Sequence, residues 1–408
     1  MDQEETLRQL VKDLCDKFEM SMRSTSEIEE HTPPMVVESD KLLLQAADPS
    51  ATSSVVTRSG VQDGLDHETG ESSATPLVAK KTAEEEMASE AKDFDRYRRD
   101  WEAFWGPTAV LSSMQFTNYT PGRLTHHSVA STPATLQIFS IKLVQVAGGL
   151  RWPLSVYGVV AVRDEVDHNR NFLFSCDRNY SQELTQNDPF LRLIGPSRAV
   201  VFTDEVNLEV ELKVKGTTAY QDKALITKGC EYRAFGNGVS TVCFKNCFCT
   251  VELCVQTVRK TVQATILGVQ VASGEPFPFE HGARVTCSPL QGEWDYTDNR
   301  ITIVTYPTHG EIVMVDSKDE KMLKGSDGYL HLPRNVISVG FKGMLDVDIQ
   351  AYSKSGDVAA KERVSLQPRC SKISQKTCCI RGVTVAVTIA WSLVATDKFD
   401  VMSLGSLV

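Results

Sequence analysis

The chain has 408 residues, with 53 acidic against 43 basic side chains and a formal net charge of −10. A surface of that balance lacks the positive field that draws proteins to nucleic acid or anionic membrane regardless of sequence, so no nucleic-acid partner is expected. The length exceeds one ordinary domain, and two or three folding units are expected.

Met1-Asp2-Gln3-Glu4-Glu5 carries acid where a secretory leader carries base, and the longest apolar run, 382–395, falls short of the ~20 residues that span a bilayer. The eleven cysteines are an odd set without framework spacing. These features predict an intracellular protein, cytoplasmic or nuclear, with reduced thiols and no integral membrane segment.

Along the chain, Leu7, Leu10, Val11, Leu14 and Phe18 recur at helical spacing, so 1–22 is read as an amphipathic helix. Residues 23–80 are rich in Ser, Thr, Glu and Asp, nearly free of aromatics and broken by Pro33-Pro34, which predicts a disordered tether. A second helix spans 81–106, where Met87, Ala91, Phe94, Tyr97, Trp101, Phe104 and Trp105 keep the period until Gly106-Pro107 ends it. Its aromatic face calls for cover, either by the β domain or by a partner. An irregular connector follows over 107–134.

From Leu136 the period becomes two. Val206, Leu208, Val210, Leu212 and Val214 alternate with polar and charged residues, as in an antiparallel strand with one wet face. Gly236-Asn237-Gly238 reads as a hairpin turn. Val144-Gln145-Val146-Ala147 returns as Val269-Gln270-Val271-Ala272, and Trp152-Pro153 as Phe277-Pro278. Tyr157-Gly158 returns as His281-Gly282, and the strand starting at Leu208 as one starting at Leu345, with Pro196 and Pro333 upstream. The predicted fold class is all-β: two sequence-related antiparallel β-sandwich units in tandem, over 135–260 and 261–396, with an N-terminal helical and disordered extension and a tail over 397–408.

The segments Leu136-Gln137-Ile138-Phe139, Tyr157-Gly158-Val159-Val160, Asp167-His168-Asn169-Arg170-Asn171, Gly195-Pro196-Ser197-Arg198 and Ala390-Trp391-Ser392-Leu393 resemble a plant family, expanded in grasses, catalogued as domain of unknown function 6598. Tyr97-Arg98-Arg99-Asp100-Trp101 resembles the segment that often precedes it. The resemblance covers roughly 90–400 and implies no established activity. Through some relatives it implies an association with ribosome-inactivating domains, whose catalytic helix carries Glu-Ala-x-x-Arg. Here Glu90-Ala91 is followed by Lys92-Asp93-Phe94, without the arginine.

Two clusters offer candidate ligands. Asp164, Asp167 and Asn169 gather oxygens that a calcium ion would want in a C2-like module, against the plainer reading of a solvated turn with Arg163 and Arg170 pairing the acids. Cys243, Cys247, Cys249 and Cys254 are the densest thiols, but zinc sites present two closely spaced pairs, and Cys247 and Cys249 read as small apolar residues sharing a strand face. His126-His127 sits in a polar loop. Arg192, Arg198, Lys213 and Lys215 suggest a basic strip on one sheet, but Glu209 and Glu211 interleave with the lysines on the same face and predict a mixed exposed surface. No nucleophile elbow or phosphate loop is present, so neither catalytic residues nor a cofactor are expected. The expected function is a non-enzymatic interaction or structural module with protein partners. The alternatives are a ribosome-inactivation-related protein and a calcium-dependent lipid-binding C2-like module.

Overall fold

The alternation that begins at Leu136 builds two successive β-sandwiches in a computed structural model describing residues 54–55, 81–106, 130–233, 238–274, 276–297, 300–307, 310–318 and 328–397. Repeat 1 contains β1 (Thr135–Val146), β2 (Leu154–Arg163), β3 (Asn171–Cys176), β4 (Gln182–Leu184), β5 (Val206–Val214), β6 (Lys223–Tyr232), β7 (Val239–Lys245) and β8 (Cys249–Val258). One sheet runs β7-β8-β1, with Val200–Val201 beside the start of β1. The other runs β3-β2-β5-β6, with β4 beside β2. Side chains such as Ile138, Val160, Leu208 and Leu253 are closed off from water between them, each burial contributing roughly 1.5–3 kcal/mol.

Repeat 2 contains β9 (Thr261–Ser273), β10 (Ala283–Thr297), β11 (Arg300–Pro307), β12 (Ile312–Asp316), β13 (Val336–Gly340), β14 (Met344–Tyr352), β15 (Val358–Leu366), β16 (Ile373–Ile380) and β17 (Val383–Ser392). Its sheets run β16-β17-β9-β13 and β11-β10-β14-β15, with β12 beside β10. The order matches repeat 1 strand for strand.

Bulges fix which residues correspond. Phe139 and Val144 are the extra residues of β1 against β8, and Leu267 and Ala272 those of β9 against β17, both pairs 128 positions apart. The sequence echo that sets Val144 against Val269 is therefore three residues out of register. A shift by an odd number turns side chains to the opposite face, and indeed Val269 lies in its core while Val144 is 43% exposed. The true counterpart of Val269 is Ile141, also a core residue. In the second sheets the bulge after Leu212 matches that after Ala351. Gly158, opposite Leu212, thus corresponds to Ala283, opposite Ala351, and not to Gly282. Leu208 corresponds to Val347, two residues beyond Leu345, and a shift of two keeps the face.

Three other expectations change. Gly236 and Asn237 lie outside the described residues, but the strands around them are not a hairpin: β6 pairs with β5 and β7 with β8, so the chain crosses between sheets. The connector 107–134 is not irregular throughout, since Ala130–Ser131 pairs with Val394–Ala395. The polar face of β5 is not wet along its length, because a helix covers Glu209, as described below. The predicted helix 1–22, the tether 23–80 apart from Ser54–Val55, the first part of the connector, 107–129, and the tail from 398 lie outside the described residues.

The repeats interlock along one seam. Phe139 leaves its own sandwich and enters the core of repeat 2. Fully buried Arg334 donates to the carbonyls of Ile138 and Phe139 at that bulge. Ser338 N donates to Gln137 Oε1 at 2.9 Å and Ala199 N to Gln263 Oε1 at 2.8 Å, so each repeat's first strand caps backbone of the other. Val166, Ala199, Val201, Val394 and Ala395 form a small apolar cluster of their own there.

Candidate functional site

The densest charge in the described structure lies where β2 turns into β3. Asp164 and Asp167 shape this loop locally: Asp164 Oδ1 accepts from Val166 N at 3.2 Å and Asp167 Oδ1 from Asn169 N at 3.1 Å, the two-residue reach of an Asx turn. His168 completes the bend with a left-handed φ of 56°. Arg198 then enters with both terminal nitrogens. They meet the two oxygens of Asp164 at 2.5 and 2.6 Å, and one also meets Asp167 at 3.1 Å. Burial opposes the Arg198 charge, but the two carboxylates outweigh it and hold the guanidinium above its ordinary pKa.

A second knot sits beside the first. Glu209 on β5 is 2% exposed and accepts from Arg163 Nε at 2.5 Å and Arg170 Nε at 2.7 Å. Three guanidinium groups thus face three carboxyl groups, all buried. Formal neutrality and bidentate geometry are what make burial of so many charges tolerable. The acids of this loop are therefore buried, not solvated, and Arg198, read from the sequence as part of an exposed strip, meets both Asp164 and Asp167.

The cover over Glu209 is α1 (Ala83–Trp105), which starts at Thr82 with a reciprocal capping box to Glu85 and ends at Gly106. Phe94, Tyr97, Trp101 and Trp105 form a row, the first pair stacked and the next two tilted, with centroids 5.9, 6.2 and 6.4 Å apart. Tyr97 OH donates to Glu209 at 3.3 Å, and its ring lies over Gly229 of β6, where a Cβ would come within 2.9 Å. Burial, then the charge of Glu209, push the Tyr97 phenol well above its ordinary pKa. Trp101 stacks over the Arg163 guanidinium at 5.1 Å and donates to His168 O at 3.3 Å, while Trp105 lies flat on His168 at 3.5 Å. At the other end Glu90 accepts from Thr227 N at 2.6 Å and Asn246 Nδ2 at 3.1 Å, and pairs with Lys228 at 3.5 Å. Glu90 is a docking residue here.

The candidate calcium ligands meet Arg198 already seated on Asp164 and Asp167; a divalent cation at these oxygens would have to displace it, and Asn169 is buried beside them. Cys243, Cys247, Cys249 and Cys254 do not converge. Cys243 lies opposite Glu252 and Cys254 opposite Thr241. Cys249 points into the core of repeat 1, and Cys247 lies in the turn before β8, so the two do not share a strand face. Burial pushes the Cys249 thiol up to about 12, away from the thiolate that zinc needs. Among the described residues no group of three or more His, Cys, Asp or Glu is placed to hold a metal. His126 and His127 lie outside them.

Sequence reasoning missed Glu209 and Tyr97 as partners and set Arg198 on an exposed strip. A signal was available: Glu209 is flanked across the sheet by Ala161 and Gly229, and small residues around an acid mark a place where something large is laid on top.

A family model described as Domain of unknown function (DUF6598) matches residues 135–389. No curated protein matches the chain. Among solved structures, human GIVD cytosolic phospholipase A2 aligns at 10% identity and a TM-score of 0.21, covering 65% of this chain and 33% of that one. The same enzyme in complex with methyl gamma-linolenyl fluorophosphonate aligns at 9% identity, with the same score and coverage. The chain spans about a third of that enzyme's length, and so low a score transfers neither fold nor lipase chemistry. The family match runs from β1 into β17, through both sandwiches, and this chain belongs to the family described as a domain of unknown function, DUF6598.

Proposed function

We propose that this chain is a non-enzymatic interaction or structural module of a plant cell, acting in the cytoplasm or nucleus through protein partners. The observation that supports this reading is the buried neutral knot of Arg163, Asp164, Asp167, Arg170, Arg198 and Glu209. The most concentrated ionisable groups in the described structure are spent on holding the β2–β3 loop and α1 in place. The ten described cysteines are free thiols, which suits a reducing compartment. No described helix is long and apolar enough to cross a membrane.

Affinity capture with the full chain, followed by reconstitution with the purified partner, tests the reading. A partner that rebinds at fixed stoichiometry, with no depurination of ribosomal RNA and no calcium-dependent change in melting temperature, is the expected result. Depurination by the purified chain, or liposome binding that requires calcium, would replace this reading with one of the two alternatives.

A further inference from the structure

β7 is the outer strand of its sheet, paired with β8 along its whole length. Its other edge carries a short addition: Ser54 lies opposite Thr241 and Val55 opposite Val242, in parallel. Every other ladder among the described residues is antiparallel. A parallel neighbour cannot come from a hairpin and must be brought in by a long connection.

Three further observations bear on this edge. First, β7 reads Val-Ser-Thr-Val-Cys-Phe-Lys, with no proline and a charge only at its last residue, whereas exposed edges are ordinarily guarded by charge or proline. The corresponding edge of repeat 2, β16, is guarded: Lys376 sits mid-strand and donates to Ser365 O of β15. Second, the tether from Ala51 to Thr57 is an uncharged run of Ala, Thr, Ser and Val, rich in the β-branched residues that suit a strand. Third, the direction fits. α1 begins beside the β7–β8 turn, where Cys247 Sγ approaches Ala83 O at 3.8 Å. A strand parallel to β7 heads toward that turn, and the 27 residues between Val55 and Ala83 reach up to about 90 Å when extended.

We propose that the outer edge of β7 is a strand-addition site and that its occupant is this chain's own segment around Ser54–Val55. Main-chain hydrogen bonds supply the affinity, as in other strand additions. The tether thereby closes an edge that would otherwise recruit a strand from another molecule. This goes beyond the interaction reading above and does not depend on it.

The test is hydrogen exchange on the full chain. Val55→Pro removes a backbone donor and disfavours pairing; Ser72→Pro, elsewhere in the tether, is the control. The expected result is exchange about tenfold faster in Val55→Pro at the β7 amides that point away from β8, with β8 and the control unchanged. Equal rates in Val55→Pro and the parent chain would overturn the proposal. A labelled peptide of residues 50–60 should also bind Val55→Pro more tightly than the parent, whose own tether competes for the edge. Equal binding to both, or none to Val55→Pro, would count against it.

Discussion

The bulges of β1 and β9 occupy equivalent places in the two repeats, yet Phe139 is 5% exposed and Leu267 43%. The backbone device was kept on duplication while its side chain took opposite environments. At Phe139 the bulge frees two carbonyls, Arg334 caps them, and the aromatic ring fills the other repeat's core. At Leu267 the side chain stays partly in water. The arginines that follow each repeat's proline diverge in the same way. Arg198 is held by two carboxylates, whereas Arg334 donates to backbone carbonyls, with no carboxylate bridging it among the described residues. Burial accordingly pulls Arg334 down to about 10. Two of these differences meet at the seam, where Phe139 enters the core of repeat 2 and Arg334 of repeat 2 reaches back to the bulge that carries it.

Mutations can break this comparison. Arg198→Met should cost about 4 kcal/mol, because it removes the buried guanidinium that meets both oxygens of Asp164 and one of Asp167. Arg334→Met should cost less, about 1–3 kcal/mol, since two carbonyls lose a donor but a buried, uncompensated charge disappears with it. Urea denaturation of the full chain measures both, and equal losses would show that the two arginines are not differently satisfied. Phe139→Ala should cost about 3 kcal/mol; Leu267→Ala, at the same bulge but half in water, should stay within about 0.5 kcal/mol. A matching loss at Leu267 would mean that this position is covered too.

The docking of α1 sharpens the picture on the repeat 1 side alone. Gly229→Ala would place a Cβ 2.9 Å from the Tyr97 ring, and overpacking of that kind typically costs about 1–2 kcal/mol. The loss should be read by Trp101 and Trp105 fluorescence at lower denaturant than the sheet signal. A single transition unchanged from the parent would show that Tyr97 yields freely.

Much of this was legible beforehand, and its limits have physical causes. The duplication, the change from helical to two-residue period at Leu136 and the aromatic face of α1 are periodic signals, and periodicity reflects burial directly. The register of the repeat was not legible, because a bulge at Phe139 or Leu267 adds a residue without any change in composition. The wet face assigned to β5 failed at Glu209 because the covering element lies more than a hundred residues away in sequence. The pairing of Arg198 with Asp164 was hidden for a like reason, since nothing local tells a solvated acid from one met by a distant guanidinium.

Glu90 provides the smallest and most specific test. Burial raises its carboxyl above the ordinary 4.5, and the Thr227 amide, the Lys228 charge and Asn246 only partly offset this. With the folded value above the unfolded one, the folded chain holds the proton more tightly in the window between them. Stability from this residue is therefore fully present below about 4.5 and is lost as pH rises through the folded value. Glu90→Gln keeps an oxygen for Thr227 N and carries no charge, so it should abolish that slope. Across about pH 4 to 7 the parent should lose stability relative to the variant, ending level with it or up to about 1 kcal/mol below. If the parent instead gains on the variant as pH rises, the Lys228 pair outweighs the cost of burial, and α1 is held at this end by charge and not by hydrogen bonding to the edge of β6.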